Sequence, residues 1–369
     1  MSNPTIAAPR SRRQPLSNAT LLMLISIAIF ITMYIVAIFA TPDGRFDKPQ
    51  TFLNMMNGSA SLIIIACALT IVMIGGGINI SVGGVIGLTA MSCALFLNSP
   101  IMADGPLKVI AAFVLAILIG FVFGCMQGAM ISYLKIQPFI VTLAGMVLAR
   151  GLTTVQSAKN VDIASKAFQG FKKSVNTIKI DLLGSTNANG AFVPGKIELG
   201  MLIALLVVVL VFLMLRFTKF GRNIYAIGGN EQSAVMLGIN VKRNRFWSYV
   251  LSGSLSGLAG FIFIMHNSGV SPSNVAIRSE MDAIASSIIG GTLLTGGVGN
   301  VFGTLFGVMI LSTIQKIIPW IEFSNPDVMV WFKEHQADFQ NIVSGLMLGL
   351  FIIVQSVILA IRSKGKAKL

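Results

Sequence analysis

The chain has 369 residues, of which 54% are hydrophobic and 11% charged. A soluble domain carries about 25% charged residues, so this composition excludes an ordinary soluble enzyme and points to the membrane. The formal charge of +14 sits in tails and in loops between apolar blocks, which is the pattern of membrane topology and not of a nucleic-acid face.

A span needs roughly 20 apolar residues, and ten segments qualify: approximately 19–40, 57–77, 80–98, 108–132, 138–156, 198–217, 246–266, 281–297, 300–319 and 341–361. The first follows Arg10, Arg12 and Arg13, as a signal peptide would. However, it exceeds an h-region of about 7–15 residues, and Ile38, three residues before a cut after Ala40, is not small. It is expected to remain as an uncleaved span. The fold class expected is therefore an all-α membrane protein. A single transmembrane domain covers 19–361, with a basic tail at 1–18 and another at 362–369 that holds Arg362, Lys364, Lys366 and Lys368.

Lysine and arginine set the orientation. Both basic tails are expected in the cytoplasm, which requires an even number of spans. The loop 218–246, with Lys219, Arg222, Lys242, Arg243 and Arg245 against Glu231, then also falls inside. The loop 157–197 falls outside despite its six lysines and two aspartates, and its Gly, Asn and Ser content reads as an exposed loop.

Glycine is abundant and patterned. Gly120, Gly124 and Gly128 repeat at intervals of four, as do Gly299, Gly303 and Gly307, while Gly253/Gly257 and Gly345/Gly349 form pairs. Small residues four apart let helix backbones approach closely in lipid, so a compact bundle is expected. A different texture occurs in "GGGINISVGG", 75–84, and again in "IIGGTLLTGGVGNVFG", 288–303. No lysine follows these glycines as a phosphate loop requires, and no βαβ context supports a dinucleotide site. They read as helix breaks. Non-helical backbone at membrane depth survives where it is buried or lines a cavity, and paired breaks point to a translocation path. Asn79, Ser81, Thr292, Thr295 and Asn300 are the polar members of these breaks and the candidate substrate path. Two roles fit Asn79 and Ser81: hydrogen bonding to a hydroxyl-rich ligand, and capping of the next helix.

Ionisable residues within spans are few. Arg150 is the clearest case, and intramembrane charge marks function by default; a structural or gating ion pair and a snorkelling side chain are its two readings. Glu280 and Asp282 suit the first turn of a helix. The cysteines, Cys67, Cys93 and Cys125, lack metal-ligand spacing, and His266 and His335 lie near no plausible ligand set, so no metal site, cofactor or catalytic residue is expected. In "TKFGRNIYAIGGNEQSAVMLGINVKRNRFW", 218–247, Asn230 suits an N-cap, Glu231 a first turn and Gly238 a C′ position, which predicts a short helix. Its apolar members Ala234, Val235 and Leu237 suit insertion into a groove on a cytoplasmic partner. An ordinary surface helix is the alternative.

"ITMYI", "GGINISVGG", "VTLAGMVLARG", "GRNIYAIGGNEQSAVMLGI" and "DAIASSIIGGTLLTGGVGNVFGTLFGV" resemble the membrane permease subunits of bacterial ABC importers for monosaccharides, and the second half looks especially like their galactofuranose branch. The last four stand in the family's order over roughly residues 60–310. The resemblance implies ten helices, a second permease copy or paralogue, two ATP-binding cytoplasmic subunits that carry the only ATP, and an extracytoplasmic sugar-binding protein. It implies that "NEQSAVMLGI" is the ATPase-docking helix, with Asn230, Glu231, Gln232, Ala234, Leu237 and Gly238 as its residues; Gln232 stands where the docking pattern has Glu. The family's first break usually reads "GGIDLSVG", whereas here Asn79 and Ile80 replace Asp and Leu. A permease for another small solute, such as a branched-chain amino acid, and a gradient-driven secondary transporter are the alternatives.

Overall fold

The computed structural model describes residues 18–40, 46–186, 192–272, 275–321 and 326–366. Arg10, Arg12, Arg13 and Lys368, on which the expected tail orientation partly rests, lie outside the described residues. The described chain is helical almost throughout. Helices α1 (Asn18–Ala40), α2 (Pro49–Gly58), α3 (Ala60–Ile74), α4 (Val82–Asn98), α5 (Pro106–Ser132) and α6 (Pro138–Gln156) precede a short strand β1 (Val161–Asp162), α7 (Lys166–Ser174) and a hairpin of β2 (Thr177–Thr186) and β3 (Phe192–Glu198). There follow α8 (Leu199–Phe217), α9 (Lys219–Gly229), α10 (Glu231–Met236), α11 (Val241–Asn267), β4 (Gly269–Val270), α12 (Ser279–Ile289), α13 (Val301–Ile317), α14 (Pro326–Glu334) and α15 (Gln336–Lys366).

Among the described residues seven helices are long and apolar enough to cross a membrane, or eight if the α2–α3 pair, bent by 54°, is one span. This is an all-α membrane protein. Every apolar segment of the sequence coincides with a helix, but those beside the glycine-rich breaks are shorter than expected: α3 has 15 residues, α4 and α13 have 17 each, and α12 only 11. The low helix propensity of the breaks shortens them. The bundle has two ends. One carries α7 and the β2–β3 hairpin, and is called the hairpin end; the other carries α9 and α10, and is called the α10 end.

The core is built around α3. It is apolar on every side and buried from Ile63 to Ile74, as a helix hydrophobic all round must be. It is enclosed by α11, α12, α8 and α13. The glycine repeats then decide how the outer helices meet. A Cβ on Gly120 would collide with Gly253 O, one on Gly124 would stand 2.7 Å from Tyr249 O, and one on Gly257 would collide with Ala116 O, so α5 and α11 cross backbone against backbone. Gly303 and Gly307 of α13 meet Gly290 and Ser286 of α12 in the same way. Gly345 and Gly349 of α15 do not pack within the chain; a Cβ on either meets nothing within 4 Å.

The hairpin end is held by polar contacts. The β1 and β4 strands pair antiparallel, Val161 opposite Val270. Asn98 at the end of α4 donates to Asp162 O at 2.8 Å. His266 Nδ1 lies 2.8 Å from Glu198 Oε2, and Lys172 Nζ donates to His266 O at 2.7 Å. Asp104 caps α7: its Oδ1 accepts from Ser165 Oγ at 2.5 Å and its Oδ2 from the backbone N–H groups of Lys166 and Ala167.

Two predictions follow from this packing. Gly120→Ala is expected to destabilise the purified chain by about 1–3 kcal/mol, the usual penalty of overpacking. Gly345→Ala, in open space, is expected to raise stability by up to ~1 kcal/mol through helix propensity. Thermal unfolding in detergent distinguishes them. The second concerns pH. The Ser165 hydroxyl, and then the two backbone donors, hold the Asp104 carboxyl below its ordinary value of 3.8. A lowered folded value stabilises the ionised, folded form, so this contribution is complete above the ordinary value and lost as pH falls through the lowered one. The Lys166 and Ala167 amides should lose hydrogen-exchange protection in that acid range, and Asp104→Asn should remove the dependence.

Candidate functional site

The first glycine break leaves α3 at Ile74 and enters α4 at Val82. Its centre is a closed polar knot. Asn79 and Ser81 are each 1% exposed. Asn79 Nδ2 donates to Ser252 Oγ of α11 at 3.0 Å, and its Oδ1 accepts from Ser81 N and from Ser81 Oγ at 2.7 Å. Gln127 of α5 donates to Ser81 Oγ at 2.8 Å. Gly145 of α6 makes room for that amide, since a Cβ there would overlap Gln127 Nε2. The knot lies about one to two helical turns inside the ends of α5 and α6, where each polar group needs an internal partner. An amide satisfies both sides of this arrangement: it donates to Ser252 and accepts from Ser81, whereas an ionised carboxylate only accepts. The Asn79 side chain thus ties α4 to α11 and folds back on Ser81; Ser81 is the N-cap position of α4, but no side-chain cap bond forms there.

The second break, from Gly290 to Gly299, does not lie apart from the first. Gly297 N donates to Ile74 O at 2.8 Å. A Cβ on Gly296 would stand 2.8 Å from Gly76 N, one on Gly297 2.7 Å from Gly229 Cα, and one on Gly228 would collide with Ile74 O. Gly296 and Gly297 have φ of +84° and +74°, a region open to glycine at little cost. Both breaks and the end of α9 therefore meet backbone to backbone beside α10. The sequence held the three glycine segments but no sign that they touch.

The five candidate path residues do not line one common cavity. Asn79 and Ser81 belong to the knot. Thr292 is buried with its hydroxyl unpartnered. Thr295 is on the surface, in a shallow hollow with Gly76, Asn230 and Gln232. Asn300 caps α13, accepting from Phe302 N at 2.9 Å, and borders a separate groove with Arg216 and Tyr225.

The expected full span at 281–297 is instead a half-helix. Gln336-bearing α15 and the other long helices cross the bundle, but α12 begins deep within it. Asn98 marks the hairpin end of α4, and Gly83 lies about 22 Å further along at 1.5 Å per residue. Val275 packs at Gly87 and the Glu280 side chain fills the space beside Gly83, where a Cβ would overlap it. Arg150 Nη2 reaches both Glu280 oxygens, at 3.0 and 3.1 Å, and Ala276 O at 3.4 Å. Arg150 is therefore paired, as one of its two readings required. Glu280 does lie in the first turn of α12, but its side chain is only 8% exposed, and its role as the partner of Arg150 was not legible in the sequence because the two are 130 residues apart. Asp282 accepts from Gln315 of α13 at 3.3 Å. Backbone at Ala276 and Arg278 lies at φ +49° and +64°, so the entry to α12 is held in a strained form.

At the α10 end the sequence signals are realised in detail. Asn230 Oδ1 accepts from Ser233 N at 2.9 Å. Gly238, at φ +76°, closes the helix, with Ile239 N donating to Ala234 O at 3.0 Å and Gly238 N to Val235 O at 2.9 Å, a left-handed C-terminal closure. Glu231 pairs with Arg245 of α11 at 2.7 Å. One residue differs from expectation. Ala234 does not face outward; it is 1% exposed and packs on Ile227 and Val241. The outward apolar face is Val235, Met236 and Leu237, of which Met236 is 87% exposed. The apolar tip is thus exposed on a helix capped at both ends. Gln232 is exposed beside it. The preceding α9, whose first turn is capped by Thr218, was not foreseen as a helix.

Residues 51–354 match the family described as "Branched-chain amino acid transport system / permease component". The chain belongs to this family of permease components. It is 34% identical to the inner membrane ABC transporter permease protein YjfF of Escherichia coli (strain K12), over 90% of this chain and 91% of that protein. It is 33% identical to the fructose import permease protein FruG of Bifidobacterium longum (strain NCC 2705), over 92% and 91%. It is 35% identical to the ribose import permease protein RbsC of Bacillus subtilis (strain 168), over 79% and 82%. No solved structure matches the chain. With its spanning helices, this permease component is a multi-pass protein of the cell membrane.

The Arg150–Glu280 pair yields a prediction. Arg150→Met and Glu280→Gln should each lower thermal stability, the first by leaving the buried Glu280 charge uncompensated, the second by leaving a half-buried arginine without its partner. The double variant should recover part of the loss, with a coupling of about 1–2 kcal/mol. That is smaller than for a fully buried pair, because the Arg150 side chain is 33% exposed and partly screened. Additive effects in a double-mutant cycle would contradict the pairing.

Proposed function

We propose that the chain is the membrane-spanning permease subunit of an ATP-binding cassette importer that passes a neutral monosaccharide into the cytoplasm, driven by ATP hydrolysed on partner subunits. The observation that carries this is family membership joined to a rigid, capped α10 with an exposed apolar tip. The relatives bearing fructose and ribose in their names support a monosaccharide. The Arg150–Glu280 pair supports a neutral substrate over a zwitterion, since each charge already has its partner. In this reading the chain crosses the membrane ten times, the half-helix α12 counting as one crossing, and both termini are cytoplasmic. The α10 end faces the cytoplasm and the hairpin end faces an extracytoplasmic sugar-binding protein. A second permease copy or paralogue completes the path, and the chain has no ATPase site of its own.

The glycine junction supplies the coupling. One ATP-binding subunit docks on Val235, Met236 and Leu237 of each permease copy. Displacement of α10 moves Gly228 and Gly229, against which both breaks pack, and a junction without side chains can slide without repacking. The breaks then rearrange and open Asn79, Ser81, Thr292, Thr295 and Asn300 towards the path.

Radiolabelled pentose and hexose uptake in a deletion strain tests this. Uptake should require ATP and survive collapse of proton and sodium gradients. Gly238→Leu and Glu231→Arg should each reduce uptake roughly tenfold or more, the scale of a lost coupling, while the partner subunits still hydrolyse ATP. Normal uptake in both variants would refute the docking assignment. Hydrolysis of ATP by the purified single chain would refute its role as a passive subunit.

A further inference from the structure

The helices α6 and α11 begin on opposite walls of one groove at the α10 end, about 700 Å³ in volume. Ser132, Lys135, Gln137, Lys242 and Arg245 line it. Arg245 is paired with Glu231, also in the wall, at 2.7 Å, so those two charges offset one another. Among the described residues no carboxylate is within ion-pair distance of Lys135 or Lys242, and the groove carries net positive charge. Two helix N-termini add to it. Gln137 and Asn240 are the N-caps of α6 and α11, and the Gln137 side chain makes no cap bond. The positive ends of both helix dipoles therefore face the groove.

An independent observation lies in the groove wall. Ser132 is only 3% exposed, yet its Oγ has no hydrogen-bond partner. A buried hydroxyl without a partner is costly, and this one belongs to the groove wall. Ammonium, hydroxyl, amide and backbone N–H are all donors, and the ligand they match is an anion rich in acceptor oxygens. The rim indicates its source. Tyr133, Leu134, Phe139 and Ile140 stand beside the lysines and are 52–68% exposed. Aromatic and apolar side chains next to basic ones characterise the boundary between headgroups and acyl chains, and basic pockets between spanning helices take anionic headgroups.

We propose that this groove binds the phosphate of an anionic phospholipid, with Lys135, Lys242 and Ser132 as its ligands and the starts of α6 and α11 completing the cradle. The acyl chains lie along Leu134, Phe139 and Ile140. The site does not depend on which solute the permease carries. Because Val235 of α10 also borders the groove, the bound lipid braces the docking helix against α6.

Native mass spectrometry of the detergent-purified full chain tests this with phosphatidylglycerol, phosphatidylcholine and sodium phosphate as separate probes. Phosphatidylglycerol should be retained in preference to phosphatidylcholine and be weakened by salt. A surface lysine contributes about fivefold in affinity, so Lys135→Asn and Lys242→Gln together should weaken retention about 25-fold; asparagine tolerates the left-handed backbone of Lys135, φ +57°. Ser132→Ala should weaken it without altering the unfolding temperature by more than a few degrees. Arg216→Gln with Arg222→Gln, in the separate groove beside Asn300, should leave retention unchanged. Equal retention of both lipids, or equal weakening by the arginine control, would overturn the proposal. Inorganic phosphate that binds alone and displaces the lipid at millimolar concentration would assign the site to a free anion and overturn the lipid source. Loss of the lipid when the ATP-binding subunits assemble on the chain would assign the groove to protein docking and overturn it as well.

Discussion

Helices in lipid gain nothing from burying apolar side chains against one another, because the acyl chains are equally apolar. What holds this bundle together is close contact between backbones. Gly120 and Gly124 against Gly253, Gly257 and Tyr249 bring α5 and α11 to a separation that no Cβ permits. Gly303 and Gly307 do the same for α13 against α12. At such distances dispersion contacts are maximal and small residues dominate the interface. The central α3, apolar on all sides, can then be fully enclosed.

Polar groups inside this tight frame have little choice of partner. Asn79, Ser81, Gln127 and Ser252 satisfy one another where α3 gives way to α4. Arg150 and Glu280 neutralise each other where α12 starts. In both places the backbone leaves the helix within the bundle, and the freed polarity is absorbed by side chains from other elements: Gln127 of α5 and Ser252 of α11 at the first, Arg150 of α6 at the second. Gly83 and Gly145 are part of these sites although they carry no chemistry, since each vacates the volume that a polar side chain occupies.

The two breaks converge on the end of the molecule where α10 presents its apolar tip. Their contact with Gly228 and Gly229 joins the end of α9, next to α10, to both breaks, with backbone resting on backbone.

Much of this architecture is written locally. Segment hydropathy located every long helix, since a helix satisfies its own backbone and needs only length and apolarity to lie in lipid. The capping of α10 by Asn230 and Gly238 was equally legible, because both contacts span a few residues. The four-residue glycine spacing foretold close packing but not its partners. Tertiary structure alone decided that Gly76, Gly228 and Gly296 meet, that Ala234 turns inward while Met236 turns out, and that α12 is a half-helix anchored by Arg150. Those outcomes depend on contacts between residues far apart in the chain, or on which face of a short helix its neighbours cover, and no local pattern encodes either. "GGGINISVGG" carried the residue types of a polar helix break in its sequence; that its asparagine would close a buried knot with Ser252 was decided only when α11 came to lie against it.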